Sequence, residues 1–299
     1  MGIKVLSLFD GMSCGRLALD KLGVKVDKYY ASEIDKYAIK VSSANYPDII
    51  QVGDVCNIKG EDYKGIDLLL AGSPCQGFSS NGLRTAFDHD KSKLFYEFLR
   101  ILEECNPKYF LLENVKMTNE NIKIISLCLG VKPIQIDSSL VTAQNRVRYY
   151  WTNIPNIKEL VDKGIKFSDI TEEDLDKNDV RTVRIIRTKE AKEIRKMYKK
   201  LHNKDHTPRR GKNLKALVER TDGKMNCLVT HFEDSHKVKI INKKTKEISY
   251  RYPTPTECER LQTVPDGYTS HVSDTQRIKM LGNGWTIDVI ANILNGMFI

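Results

Sequence analysis

No stretch of this 299-residue sequence approaches the ~20 apolar residues that cross a bilayer. The first strand-like run, Ile3 to Phe9, is interrupted by Lys4 and leads straight into Asp10, so neither a membrane span nor a secretory signal is expected. Cysteines are few. There are seven, an odd number, with no two at the close spacing of a zinc site, which argues against a disulfide framework or a metal and for a reducing, cytoplasmic setting. A full Gly-x-Gly-x-x-Gly is missing, and so are internal repeats and low-complexity tracts. With 40% hydrophobic and 29% charged residues, the chain can still bury a sizeable core in one large or two modest domains.

The formal charge of +9 is unevenly spread. Residues 1–150 carry 19 basic and 18 acidic groups, whereas residues 181–250 carry 21 and 8, a net +13 that exceeds the charge of the whole chain. The molecule is therefore a nearly neutral body with one strongly basic segment. Such a segment is as readily a solvated helix face as a nucleic-acid surface.

In the first half, short β-branched runs alternate with helical patterns, the mark of a parallel sheet covered on both faces. Strands are predicted at Ile3–Phe9, Lys28–Ser32, Ile49–Val52, Ile66–Ala71, Tyr109–Leu112, Lys132–Ile136 and Arg148–Thr152. Helices are predicted at Cys14–Leu22, Lys36–Ala44, Lys93–Glu104 and Asn121–Leu129. Ligands of such sheets bind just beyond the carboxyl ends of the strands. After Trp151 the alternation stops. Ile194, Met197, Tyr198 and Leu201 form an apolar stripe on a basic helix near 188–202, read most simply as packing. A hairpin is expected from Lys237–Ile241 and Glu247–Tyr252, closed by Pro253 and Pro255, before a last helix from Ile287 to Leu294.

The first strand ends in Phe9-Asp10-Gly11, followed by Ser13, Cys14 and Gly15 at a helix start, where glycine lets backbone approach a ligand. Glu33 ends the second strand, where a carboxylate can accept from ribose hydroxyls, and Asp54 after the third suits an adenine amino group. Acidic residues at three successive strand ends suggest a nucleoside ligand, and without the full glycine fingerprint an adenosine cofactor other than NAD is favoured.

The fourth strand runs into Gly72-Ser73-Pro74-Cys75-Gln76-Gly77-Phe78-Ser79. Pro74 restricts the turn, so Cys75 is presented at the ligand edge as a nucleophile should be. Cys56, Cys105 and Cys128 are read as small buried hydrophobes. Glu113 follows an apolar run, where burial favours a bound proton, although a salt-bridged structural role stays open. Arg146 and Arg148, two apart in Gln144-Asn145-Arg146-Val147-Arg148, would share one face of a strand and contact a substrate or order the carboxylate.

Phe9-Asp10-Gly11, Pro74-Cys75-Gln76, Glu113-Asn114-Val115, Gln144-x-Arg146-x-Arg148, Thr256-x-Cys258-x-Arg260-Leu261-Gln262 and Leu281-Gly282-Asn283 resemble, in order and spacing, the blocks of the DNA cytosine-5 methyltransferases. Ala31-Ser32-Glu33, Val52-Gly53-Asp54-Val55, the run Arg146 to Asn153 and Gly284-Trp285 are similar to the vertebrate de novo enzymes. Cys75 to Ser79 is more similar to bacterial and phage enzymes.

The resemblance implies an α/β, Rossmann-like methyltransferase fold with a mostly parallel seven-stranded sheet and a smaller basic target-recognition domain. Its implied boundaries are 1–155 for the catalytic domain, 156–275 for target recognition and 276–299 for a returning segment. It implies S-adenosylmethionine as cofactor, contacted by Phe9, Asp10, Gly11, Gly15, Glu33, Ile34, Asp54, Val55, Leu94, Asn283 and Trp285. Cys75 would attack carbon 6 of a flipped cytosine, Glu113 would act at N3, Arg146 would hold the base oxygen and Arg148 would orient Glu113. Double-stranded DNA is the implied partner of a monomer, through Gln76, Ser79, Asn81, Arg84, Arg209, Arg210 and Lys212, with Asn81 filling the space left by the base. His206–Lys212 and Lys224–Asp234 are the candidate groove contacts. A tRNA cytosine methyltransferase, a silent DNA-binding homologue and an NAD-dependent oxidoreductase are the competing readings.

Overall fold

The computed structural model describes residues 2–72, 93–172, 180–202, 215–242 and 244–299. Its first half carries β1 (Ile3–Leu8), α1 (Cys14–Lys21), β2 (Val26–Ser32), α2 (Lys36–Asn45), β3 (Ile50–Gln51), β4 (Leu68–Gly72), α3 (Lys93–Cys105), β5 (Tyr109–Val115), α4 (Asn119–Leu129), β6 (Ile134–Asp137), β7 (Gln144–Asn145) and β8 (Val147–Thr152). The second half adds β9 (Arg181–Arg187), α5 (Lys189–His202), β10 (Lys215–Glu219), β11 (Met225–Asn226), β12 (Val238–Ile241), β13 (Ile248–Arg251), α6 (Pro255–Leu261), α7 (Asp274–Asn283) and α8 (Ile287–Asn295).

The main sheet has seven strands in the order β3-β2-β1-β4-β5-β8-β6. Along each central strand, alternate side chains enter two separate apolar clusters. Val5, Leu68, Leu70 and Leu111 face one, with Ala18, Leu19, Ile290 and Leu294 from α1 and α8. Leu6, Leu8, Leu69, Ala71 and Leu112 face the other, with Phe95, Phe98 and Ile125 from α3 and α4. A sheet buried on both faces is why these strands read as unbroken apolar runs. The sheet is mostly parallel, as expected, and β8 is its one reversed strand, running antiparallel to both β5 and β6. The nine residues between β6 and β8 are too few for the crossover that a parallel pair needs.

A second, antiparallel sheet has the order β10-β9-β12-β13, and its last pair is the expected hairpin. Its Val183 and Val238 are buried, and Val238, Met225, Leu228, Cys258 and Leu261 belong to the same apolar cluster as Val5 and Leu294. The stripe on α5 is not packed as expected: Ile194, Met197 and Leu201 are 45, 63 and 74% exposed. Only its first turn is covered, where Ala191, on the same face one turn before Ile194, is buried. Pro255 also does more than close the hairpin. Pro255 opens α6 in the first turn, where a missing N–H costs nothing, and Thr254 caps it reciprocally with Glu257.

Candidate active site

Carboxylates stand in the loops at the carboxyl ends of β1, β2 and β3, and Glu33 ties the first two loops together. Beyond β1 the chain turns through left-handed Phe9, Gly11 and Ser13, with φ of 55°, 61° and 64°. Gly11 N donates to Glu33 Oε2 at 2.7 Å, while Glu33 Oε1 accepts from Ile34 N and Asp35 N, both at 2.8 Å. Asp54 accepts from Cys56 N at 2.9 Å. Asp10 is buried, accepting from the Tyr29 hydroxyl at 2.7 Å and the Ser13 hydroxyl at 2.5 Å. Burial outweighs these bonds and the carboxyl is pushed up to about 6.

These loops line one face of a cavity of about 680 Å³, which runs on past Gly72 at the end of β4 to Glu113, Arg146, Arg148 and Trp285. Phe9, Asp10, Gly11, Glu33, Ile34, Asp54, Val55, Leu94, Asn283 and Trp285 all line it. Gly15 does not. A Cβ at Gly15 would lie 2.3 Å from Leu70 Cδ1 and 2.9 Å from the Tyr29 hydroxyl, so that glycine serves close helix-to-strand packing.

β5 and β8 bring the charged groups together. Glu113 pairs with Tyr150 and Val115 with Arg148, which makes Glu113 and Arg148 diagonal neighbours on one face. Arg148 Nε lies 3.0 Å from Glu113 Oε1, and the Trp285 indole N–H donates to Oε2 at 3.2 Å. Arg146 behaves differently from expectation. Its guanidinium is buried and donates to the carbonyls of Leu228 at 3.0 Å, Gly282 at 3.1 Å and Gly284 at 2.7 Å, leaving little capacity for a base oxygen. Lying between β7 and β8, it ties that junction to the segment after β11 and the end of α7. Lys224, expected in the groove-facing run, is likewise buried and donates to the carbonyls of Ser139 and Thr142.

Several contributors were not legible in the sequence. Cys227 Sγ lies 3.3 Å from Arg146 Nη1 and 3.7 Å from Arg148 Nη2. Burial opposes its ionisation, but the two guanidiniums prevail and hold the thiol below its ordinary value. Gln262 is a hub: it accepts from Gln144 and Thr286 and donates to Leu281 O at 2.7 Å. Nothing in local spacing marks either role, because the arginines beside Cys227 and the side chains and carbonyl around Gln262 are 19 to 118 positions away. Cys14 lines the cavity, and burial pushes its thiol up to about 12, far too high for a nucleophile. Cys105 is buried as expected, but Cys56 and Cys128 are exposed, Cys56 in a short turn and Cys128 near the end of α4. Cys75, Gln76, Ser79, Asn81, Arg84, Arg209, Arg210 and Lys212 lie outside the described residues.

The family description of a C-5 cytosine-specific DNA methylase matches residues 3–126 and 131–298, nearly the whole chain. The chain belongs to that family. This methylase is 30% identical over 317 aligned positions to the type II methyltransferase M1.ScrFI of Lactococcus lactis subsp. cremoris, covering 98% of the chain and 77% of that relative. It is 35% identical to the orphan methyltransferase M.Rho11sI of Bacillus phage rho11s over 54% of the chain and 36% of the relative. Among solved structures, a DNMT2 of Spodoptera frugiperda superposes with a TM-score of 0.66 at 20% identity, covering all of both chains, which is a likeness of fold. The methylase is thus a methyltransferase of a family and fold that use S-adenosylmethionine. Among its described residues, no helix is long and apolar enough to cross a membrane.

Proposed function

We propose that this methylase transfers a methyl group from S-adenosylmethionine to carbon 5 of a cytosine flipped out of double-stranded DNA, through a covalent adduct on Cys75. The observation that carries the reading is the Arg148–Glu113 ion pair beside the end of β4, opening into the same cavity as Asp10, Glu33 and Asp54. β4 is the strand that leads to Cys75.

The lining suits the cofactor. Its acidic side chains at three strand ends match a cationic adenosine compound, and the exposed Ile34 at the rim offers an apolar face to a base. Phe9, Asp10, Gly11, Glu33, Ile34, Asp54, Val55, Leu94 and Asn283 would hold it. S-adenosylmethionine supplies an electrophilic methyl group there. The chain must make carbon 5 of cytosine nucleophilic. Addition of the Cys75 thiolate to carbon 6 pushes electron density onto carbon 5, while Glu113 holds or delivers a proton at N3. Once carbon 5 carries the methyl group, with the methyl–sulfur bond broken and S-adenosylhomocysteine left, it loses its proton, N3 returns its proton to Glu113, and expulsion of the Cys75 thiolate restores the ring.

Flipping the base costs a few kcal/mol, roughly, recovered through interactions with the protein. The segment with Gln76, Ser79, Asn81 and Arg84 and the basic region with Arg209, Arg210 and Lys212 are proposed to supply them. In this reading, 156–275 is the target-recognition part, and the enzyme works as a monomer in the cytoplasm of a bacterial or phage-infected cell. DNA is favoured over tRNA by the family description and by the type II methyltransferase relative. The test is methyl transfer to duplex DNA and to tRNA side by side, with trapping on 5-fluorocytosine DNA, where carbon 5 cannot lose a proton. A covalent adduct abolished by Cys75→Ala is expected. Transfer to tRNA alone, or no adduct, would refute the proposal.

A further inference from the structure

Resting on the reading of Glu113 as the group that meets the cytosine ring, we infer that Trp285 is a positioning residue for Glu113 and more than a wall of the cofactor cavity. The indole N–H is a donor only, and it bonds the buried Glu113 Oε2 at 3.2 Å. The other oxygen, Oε1, lies 3.0 Å from Arg148 Nε. A carboxylate held at one oxygen can still swing about its terminal torsion, which is broad and soft. With a donor at each oxygen from opposite sides of the site, its plane is set before a base arrives.

The fold makes a specific place for this ring. Gly72 pairs in register with Glu113, so a side chain at 72 would project beside the carboxylate. It has none, and the indole occupies that slot: a Cβ at Gly72 would lie 2.9 Å from Trp285 Nε1 and 3.2 Å from Cζ2. The backbone that carries the ring is anchored at Gly284 O, which accepts from Arg146 Nη2 at 2.7 Å and Gln262 Nε2 at 3.3 Å. Trp285 lies 172 residues from Glu113, so the C-terminal block reaches into the site of base activation as well as the cofactor cavity.

Two substitutions test this. Trp285→Phe keeps a ring and deletes the N–H, and Gly72→Ala keeps the N–H but pushes it, with the ring, away from Glu113. Single-turnover methylation, its pH profile and the equilibrium S-adenosylmethionine Kd should be measured for both, with circular dichroism to show that each variant is folded. Both are expected to lose roughly tenfold or more in the single-turnover rate, as when a hydrogen bond to a charged group is removed, and to displace the pH profile. Cofactor Kd should stay within about twofold, since the bond removed is to Glu113. Unchanged rates in either folded variant, or a loss confined to cofactor Kd, would overturn the inference. Glu113→Gln is the control: full activity there would remove the functional reading itself, and this inference with it.

Discussion

The Tyr29 hydroxyl donates to Asp10 Oδ1 at 2.7 Å, with both side chains buried. That bond and the one from Ser13 do not fully offset burial, and Asp10 is pushed up from 3.8 to about 6. A folded-state value above the unfolded one means that the folded chain holds the proton more tightly. The contribution of Asp10 to stability is therefore fully present below about pH 3.8 and lost as pH rises to about 6, on the order of 3 kcal/mol across that window. Asp10→Asn cannot titrate. Denaturation at pH 4 to 8 should show its stability relative to the native chain rising by about that amount. A constant difference at every pH would contradict the assignment.

Removing Arg148 strands a buried carboxylate. Arg148→Ala is expected to lower stability by about 3 kcal/mol, because one partner of a nearly dry ion pair is left alone. Glu113→Gln should cost less stability but at least about 100-fold in methylation rate, the usual scale for removing a proton-transfer group. The double variant should be more stable than Arg148→Ala alone, and chemical denaturation of all three would show it.

Gly282 faces the backbone of the segment that follows β11. A Cβ there would lie 2.3 Å from both the carbonyl carbon and oxygen of Val229, and backbone cannot swing away as a flexible side chain does. Gly282→Ala should destabilise by about 1–3 kcal/mol, as overpacking does. Gly284→Ala meets its nearest neighbours only at 3.1 and 3.2 Å and should be milder. Urea midpoints compare the two directly, and equal midpoints would show that the approach to Val229 does not matter.

The basic segment divides into charges that hold the fold and charges that face solvent. Lys224 is buried against carbonyls, Arg220 is paired with Asp222 at 2.5 Å, and Arg181 and Lys239 converge on Glu219. Arg184, Arg187, Lys192 and Lys200 are exposed. Replacing these four by Gln should weaken duplex binding and flatten its salt dependence by up to about 0.9 in log-log slope for each phosphate that is no longer neutralised. Cofactor affinity should not move. A parallel fall in cofactor affinity would mean that the segment is not a separate DNA-facing part.

The strands of the main sheet, the helices over it and the late hairpin were readable because each depends on side chains a few positions apart. Leu68 to Ala71 is apolar throughout since both faces of β4 are covered, and that is written in the local composition. The sense of β8 was less readable, being set by how few residues lead into it. The exposed stripe of Ile194, Met197 and Leu201 defeated the usual inference, since helical spacing records a face without recording what lies against it.

The same boundary runs through the site. The acidic strand ends, the Glu113 block and the arginine pair are short motifs whose chemistry is intrinsic to the residues, and the chain alone was enough to single them out. Which donor meets which acceptor was decided only by tertiary structure. Arg146 turns to the carbonyls of Leu228, Gly282 and Gly284, and Trp285 reaches Glu113 across a slot left open by Gly72. Hydrogen bonds act over about 3 Å, and folding alone brings residues that are 80 to 170 positions apart within that distance.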